Sequence, residues 1–137
     1  MERNTTSNNW KGLVLLLLLF FTSCVRNPVP AISNVRVQEV KASLVEVTAT
    51  VSPGDVDECG ICYSTSNTNP TPEANEGIIY GIVEGGRFSA QATLKANTTY
   101  YIAVFASNNA GRTTSTAFKF TTSHISPNKE DNPLPNT

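Results

Sequence analysis

Apolar and polar residues alternate along the middle of this chain with the period of a β-strand, and helical spacing never persists beyond two turns. Val45, Val47, Ala49 and Val51 alternate with Glu46, Thr48 and Thr50, which puts four apolar side chains on one face of a strand. Phe88, Ala90, Ala92 and Leu94 do the same against Ser89, Gln91 and Thr93. Tyr100, Ile102, Val104 and Ala106 mark another such face. Weaker runs complete the set: Ile32, Val35 and Val37; Glu58–Ser64; residues 78–83; and residues 112–121, with Phe118 and Phe120 on one face. Turn signals separate them at Ser52-Pro53-Gly54-Asp55, Glu84-Gly85-Gly86 and Asn108-Asn109-Ala110-Gly111. Residues 66–75 are polar and hold Asn69-Pro70 and Pro72, so they read as a loop. Seven short strands over residues 31–122 predict an all-β fold, a seven-stranded β-sandwich.

Residues 1–23 follow a different pattern. A polar start carrying Arg3 and Lys11 is followed by the unbroken apolar run 12–21 and then by Thr22, Ser23 and Cys24. That is the layout of an export signal. The apolar run is about half of the roughly 20 residues that a spanning helix needs. Phe21-Thr22-Ser23-Cys24 resembles the bacterial lipobox, in which a large apolar residue and two small ones precede a lipidated Cys. The resemblance implies a lipoprotein signal peptide over 1–23, acyl chains on Cys24, and a membrane as the partner of that residue. Several chains hold firmly where one is marginal, since each buried CH₂ contributes about 0.8 kcal/mol. Residues 24–30 then form the lipidated Cys and a short tether, stiffened by Pro28 and Pro30. Residues 123–137 hold Pro127, Pro133 and Pro135 among polar residues and read as a disordered tail.

The whole chain has 137 residues, with 10 Lys+Arg, 11 Asp+Glu and a formal net charge of −1. Such a balance offers phosphate no basic face, so nucleic acid is not an expected partner. The length excludes barrel enzymes and two-domain nucleotide-binding enzymes.

The stretch Leu94-Lys95-Ala96-Asn97-Thr98-Thr99-Tyr100-Tyr101-Ile102-Ala103-Val104-Phe105-Ala106-Ser107-Asn108-Asn109-Ala110-Gly111 resembles the fibronectin type III signature. Leu94, Thr98, Tyr100, Ile102, Val104, Ala106, Asn108 and Gly111 match it, while Ala96 replaces the usual Pro. Gly60-Ile61-Cys62-Tyr63-Ser64-Thr65-Ser66 with Asn69-Pro70-Thr71, and the ending Phe118-Lys119-Phe120-Thr121-Thr122, resemble a variant common in envelope lipoproteins of Bacteroidota. The resemblance implies that Tyr100 is a structural tyrosine corner, its ring on Leu94 and its hydroxyl bonded to backbone a few residues upstream. It implies that the seven-stranded sandwich is immunoglobulin-like, of fibronectin type III form; it is specific for fold and nearly silent on activity.

Candidate chemistry is sparse. Cys59-Gly60-Ile61-Cys62 is a CxxC, but a redox pair wants a helix N-terminus. Two residues at i and i+3 of a strand face opposite sides about 10 Å apart, beyond disulfide reach. Asp55, Asp57 and Glu58 match no EF-hand spacing. Glu73 and Glu76, a glycosidase-like pair, sit in a polar loop. The single His, His124, begins the tail, and Gly85-Gly86 is a turn rather than a phosphate loop. No cofactor, metal or catalytic group is expected.

The expected function is a non-catalytic, lipid-anchored cell-envelope lipoprotein whose sandwich serves as a binding or spacer module. The alternatives are a small accessory subunit of a surface glycan-capture or adhesin assembly and, more weakly, a thiol redox protein using Cys59 and Cys62. The expected location is the outer membrane. Val25-Arg26-Asn27-Pro28 carries no acidic run of the kind that surface-exported relatives show, which favours the periplasmic face. A protein or glycan partner is expected at one sheet face. If Tyr100, Ile102, Val104 and Ala106 point inward, Tyr101 and Phe105 point outward about 13 Å apart, with Cys62 beside them and Lys119 at the border.

Overall fold

The structure, a computed structural model, describes residues 26–124. The signal segment, Cys24 and residues 125–137 of the tail lie outside the described residues.

The described chain is all β, with two antiparallel sheets. In chain order the strands are β1 (Ala31–Lys41), β2 (Leu44–Ser52), β3 (Glu58–Ser64), β4 (Gly77–Tyr80), β5 (Ile82–Glu84), β6 (Arg87–Thr93), β7 (Thr99–Asn108), β8 (Gly111–Thr114) and β9 (Phe118–Thr121). One sheet has the order β1-β2-β6-β5. The other runs β4-β3-β7, and β7 pairs both β8 and β9 on its far side. The core lies between the sheets. Val45, Val47 and Val51 of β2 and Phe88 of β6 meet Ile61 of β3 and Ile102 and Val104 of β7, all at most 1% exposed. Each such side chain stabilises the fold by about 1.5–3 kcal/mol through burial alone.

Nine strands stand where alternation predicts seven, because two predicted runs break. Residues 78–83 change sheets at Gly81: β4 pairs β3, and β5 pairs β6. A Cβ on Gly81 would come within 2.4 Å of the Phe88 ring and 2.6 Å of the Ser89 carbonyl oxygen, so the crossing requires glycine. Its N–H donates to the Cys59 carbonyl at 3.1 Å as the chain leaves β3. The second break follows Thr114. There the Ser115 N–H donates to the Val104 carbonyl at 2.8 Å, and its hydroxyl accepts from the Val104 N–H at 3.0 Å. One serine thus satisfies both backbone groups of Val104 and lets residues 115–117 bulge out of the ladder.

Both ends of the sandwich are tied. At one end the Asn108 side-chain amide donates to the Pro28 carbonyl at 2.8 Å, Val29 sits against Gly111, and Pro30 is buried. At the other end Ser123, which alternation leaves to the tail, donates its N–H to the Glu39 carboxylate at 3.0 Å and accepts the Asn97 N–H at 3.0 Å.

Candidate functional site

The outer face of the β4-β3-β7 sheet is where the sequence places a contact surface. Register puts Phe105 beside Gly60, Ala103 beside Cys62, and Tyr101 beside Ser64 and Lys119. Phe105 does point away from the main core, yet it is 1% exposed. The expected pair of outward aromatics is therefore corrected: Phe105 is covered, and Tyr101 is half-buried. Cys62, Ala103 and Phe105 form a second, smaller core with Ile78 and Ala117. Tyr80 leans edge-on against the Phe105 ring, with centroids 6.1 Å apart at 81°.

What covers this face is the loop between β3 and β4. Pro70 is buried over it, and the Cys62 thiol donates to the Pro70 carbonyl at 3.4 Å. A loop this polar folds back because its own side chains bond it. The Glu76 carboxylate accepts from the hydroxyls of Ser64 at 3.0 Å, Thr65 at 2.9 Å and Ser66 at 3.1 Å. The buried Ser64 oxygen also accepts the N–H groups of Ser66 and Asn67, which starts the turn. Asn75 donates to the carbonyls of Thr71 and Pro72, both at 2.9 Å. Glu73 then reaches across to Arg112 on β8. Hydrogen bonds from Thr65, and to a lesser degree Ser64 and Ser66, hold the Glu76 carboxyl below its ordinary range. The Arg112 guanidinium does the same for Glu73. Glu73 and Glu76 thus have separate partners, Arg112 for one and the Ser64–Ser66 hydroxyls for the other.

Cys59 and Cys62 both carry free thiols on opposite sides of β3, Cys59 in the main core and Cys62 in the outer one. Burial pushes the Cys59 thiol up and the Cys62 thiol to about 11. Burial thus favours the neutral thiol at both positions, the opposite of the lowered pKa that activates a cysteine. Among the described residues, Asp55, Asp57, Glu58 and His124 join no cluster of three metal-binding side chains.

Tyr100 is buried, as is Leu94 in the same core. Its hydroxyl accepts the Lys95 N–H at 3.1 Å, and its ring meets Tyr63 edge-on at 5.8 Å. Beside this corner is a residue that alternation did not single out. Thr122 is 2% exposed; its hydroxyl donates to the Lys95 carbonyl at 2.6 Å and accepts the Thr98 N–H at 3.0 Å. The signal was one polar residue past the last apolar alternation, where the chain crosses beneath the corner.

No family model matches this sequence, and no curated protein matches it. Among solved structures, it is similar to the solution structure of the fn3 domain of human collagen alpha-1(XX) chain. The TM-score is 0.53 at 19% identity, covering 79% of this chain and 96% of that one. The sheet order, the tyrosine corner and this likeness together give the described residues a fibronectin type III fold.

Proposed function

We propose that the chain is a non-catalytic cell-envelope lipoprotein, its single sandwich carried on acyl chains at Cys24 and acting as a binding or spacer module. The observation that supports this reading most is the contact of Pro28 and Val29 with the hairpin between β7 and β8. Only three residues separate Cys24 from Pro28, a reach of about 14 Å at full extension. A domain that begins so soon after a lipidation motif fits a module held close to a membrane. The buried, high-pKa thiols fit a non-catalytic role and disfavour a thiol redox protein. The outer membrane, on its periplasmic face, is the location that goes with the acid-free segment after Cys24.

Globomycin treatment or Cys24→Ala tests the anchor. Either should leave unprocessed precursor and shift the protein out of the detergent phase. Normal processing with membrane retention of Cys24→Ala overturns it. Protease shaving of intact cells should spare the protein; digestion would place it at the surface.

A second reading, a small accessory subunit of a surface assembly, draws on the β4–β5 edge. There Tyr80 and Ile82 are 62% and 63% exposed on an edge that carries no charge between Gly77 and Val83. Unguarded apolar edges are where other chains pair. Cross-linking from position 80 in intact cells, followed by identification of the adduct, separates a subunit from a solitary spacer.

A further inference from the structure

The opposite face of the molecule, the outer side of the β1-β2-β6-β5 sheet, is polar, and it is not flat. Near its N-terminal end lies a cleft of about 430 Å³ lined by Asn34, Arg36, Thr48, Thr50 and Arg87, with Gly85 and Gly86 at its rim. Two local features make the concavity. The register of β1 on β2 slips between Ser33 and Arg36, where Asn34 takes a left-handed φ of 51°. On the other side the turn between β5 and β6 runs through Gly85 and Gly86, both left-handed at 56° and 76°.

Register also fixes the two arginines. Arg36 lies beside Thr48 and Arg87 beside Thr50, so they flank β2 from opposite sides. Strand spacing and rise place their Cα atoms about 12 Å apart, close enough for both guanidinium groups to serve one ligand. Among the described residues neither has a carboxylate within ion-pair distance; the one ion pair there is Arg112 with Glu73. No carboxylate lines the cleft. Glu46 and Glu84 lie in the next depression, which Arg87 also lines, with Glu84 opposite Arg87 in the β5–β6 register.

We propose that this cleft binds the carboxylates of an acidic oligosaccharide of the uronic-acid class. Two unpaired guanidinium forks match carboxylates bidentately. Between them, the Thr48 hydroxyl and the pair in which the Asn34 amide donates to the Thr50 hydroxyl at 3.4 Å suit a ligand that carries hydroxyls next to its acid, as sugar acids do. No aromatic ring lines the cleft, so an uncharged sugar has nothing to stack on. The inference rests on the binding-module reading and is independent of the anchor.

Calorimetric titration of the full chain in detergent with oligogalacturonate tests it. Saturable binding is expected, weakened at least tenfold by Arg36→Gln or Arg87→Gln and by raised salt, with Arg→Lys variants intermediate. Both arginines are exposed, and unchanged melting of each variant shows that folding is intact. Equal binding of a neutral oligosaccharide of the same length, of hexaglutamate or of inorganic phosphate overturns the proposal. So does undiminished binding by the double Gln variant, or no saturation at all. A chain that binds nothing but stays membrane-bound through Cys24 loses this proposal and keeps the lipoprotein reading.

Discussion

The ring of Phe105 lies directly against the backbone of Gly60, so closely that a Cβ on Gly60 would sit 2.9 Å from the ring and 2.6 Å from the Ile79 carbonyl oxygen. A glycine in mid-strand costs conformational entropy; here it makes the room in which an aromatic side chain buries itself.

Gly60→Ala should therefore destabilise the domain by about 1–3 kcal/mol, as overpacking does. Phe105→Ala should cost more, about 3–5 kcal/mol, by leaving a cavity beneath the loop. Urea denaturation of both variants checks the order. Equal and small effects would mean that the loop does not seal this face.

Tyr100→Phe keeps the ring and removes the acceptor of the Lys95 N–H. The expected loss is about 1–2 kcal/mol. In a domain of this size that lowers the melting temperature by roughly 4–16 °C. An unchanged melt would mean the hydroxyl does not close the corner.

Glu39, Glu73 and Glu76 are all held below the ordinary carboxyl value of 4.5, chiefly by Ser123, Arg112 and Thr65 respectively. A lowered folded pKa means the stabilisation is complete above the unfolded value and lost as pH falls through the folded one. Amide exchange in the loop between β3 and β4, corrected for intrinsic rates, should accelerate at pH 3 relative to pH 6. Glu76→Gln should abolish most of that difference. A loop equally protected at both pH values would contradict the role of these carboxylates.

Cys59 and Cys62 should resist a thiol reagent at pH 7.5 in the folded protein and react fully in denaturant. Mass spectrometry should find no bridge between them in protein isolated under oxidising conditions. An intramolecular disulfide would require β3 to be remade.

Alternation made β2, β6 and the inward side of β7 readable, because a strand half-buried against one core records its inner face in every second residue. It could not show that residues 78–83 serve two sheets. Tyr80 and Ile82 stay outward and Ile79 and Val83 stay inward straight through Gly81, so the pattern is blind to the change of partner. Phe105 is the complementary case. Its side of the strand was legible, but its burial depends on a polar loop that closes through Glu76, Ser64 and Pro70, a long-range arrangement without any period. The Arg36–Arg87 cleft was equally hidden, since its two arginines lie far apart in sequence and meet only through register with β2.

The two tied ends also decide how the domain answers a pull. The chain enters beside Asn108 and leaves beside Glu39, so β1 runs the length of the sandwich between entry and exit. Its ladder to β2, and that of β9 to β7, are antiparallel and lie along that same line. Tension between the ends loads those hydrogen bonds lengthwise and together, as a lap joint is loaded, rather than peeling them open singly. Drawn from its ends, the domain resists as one mechanical unit until a whole ladder slips.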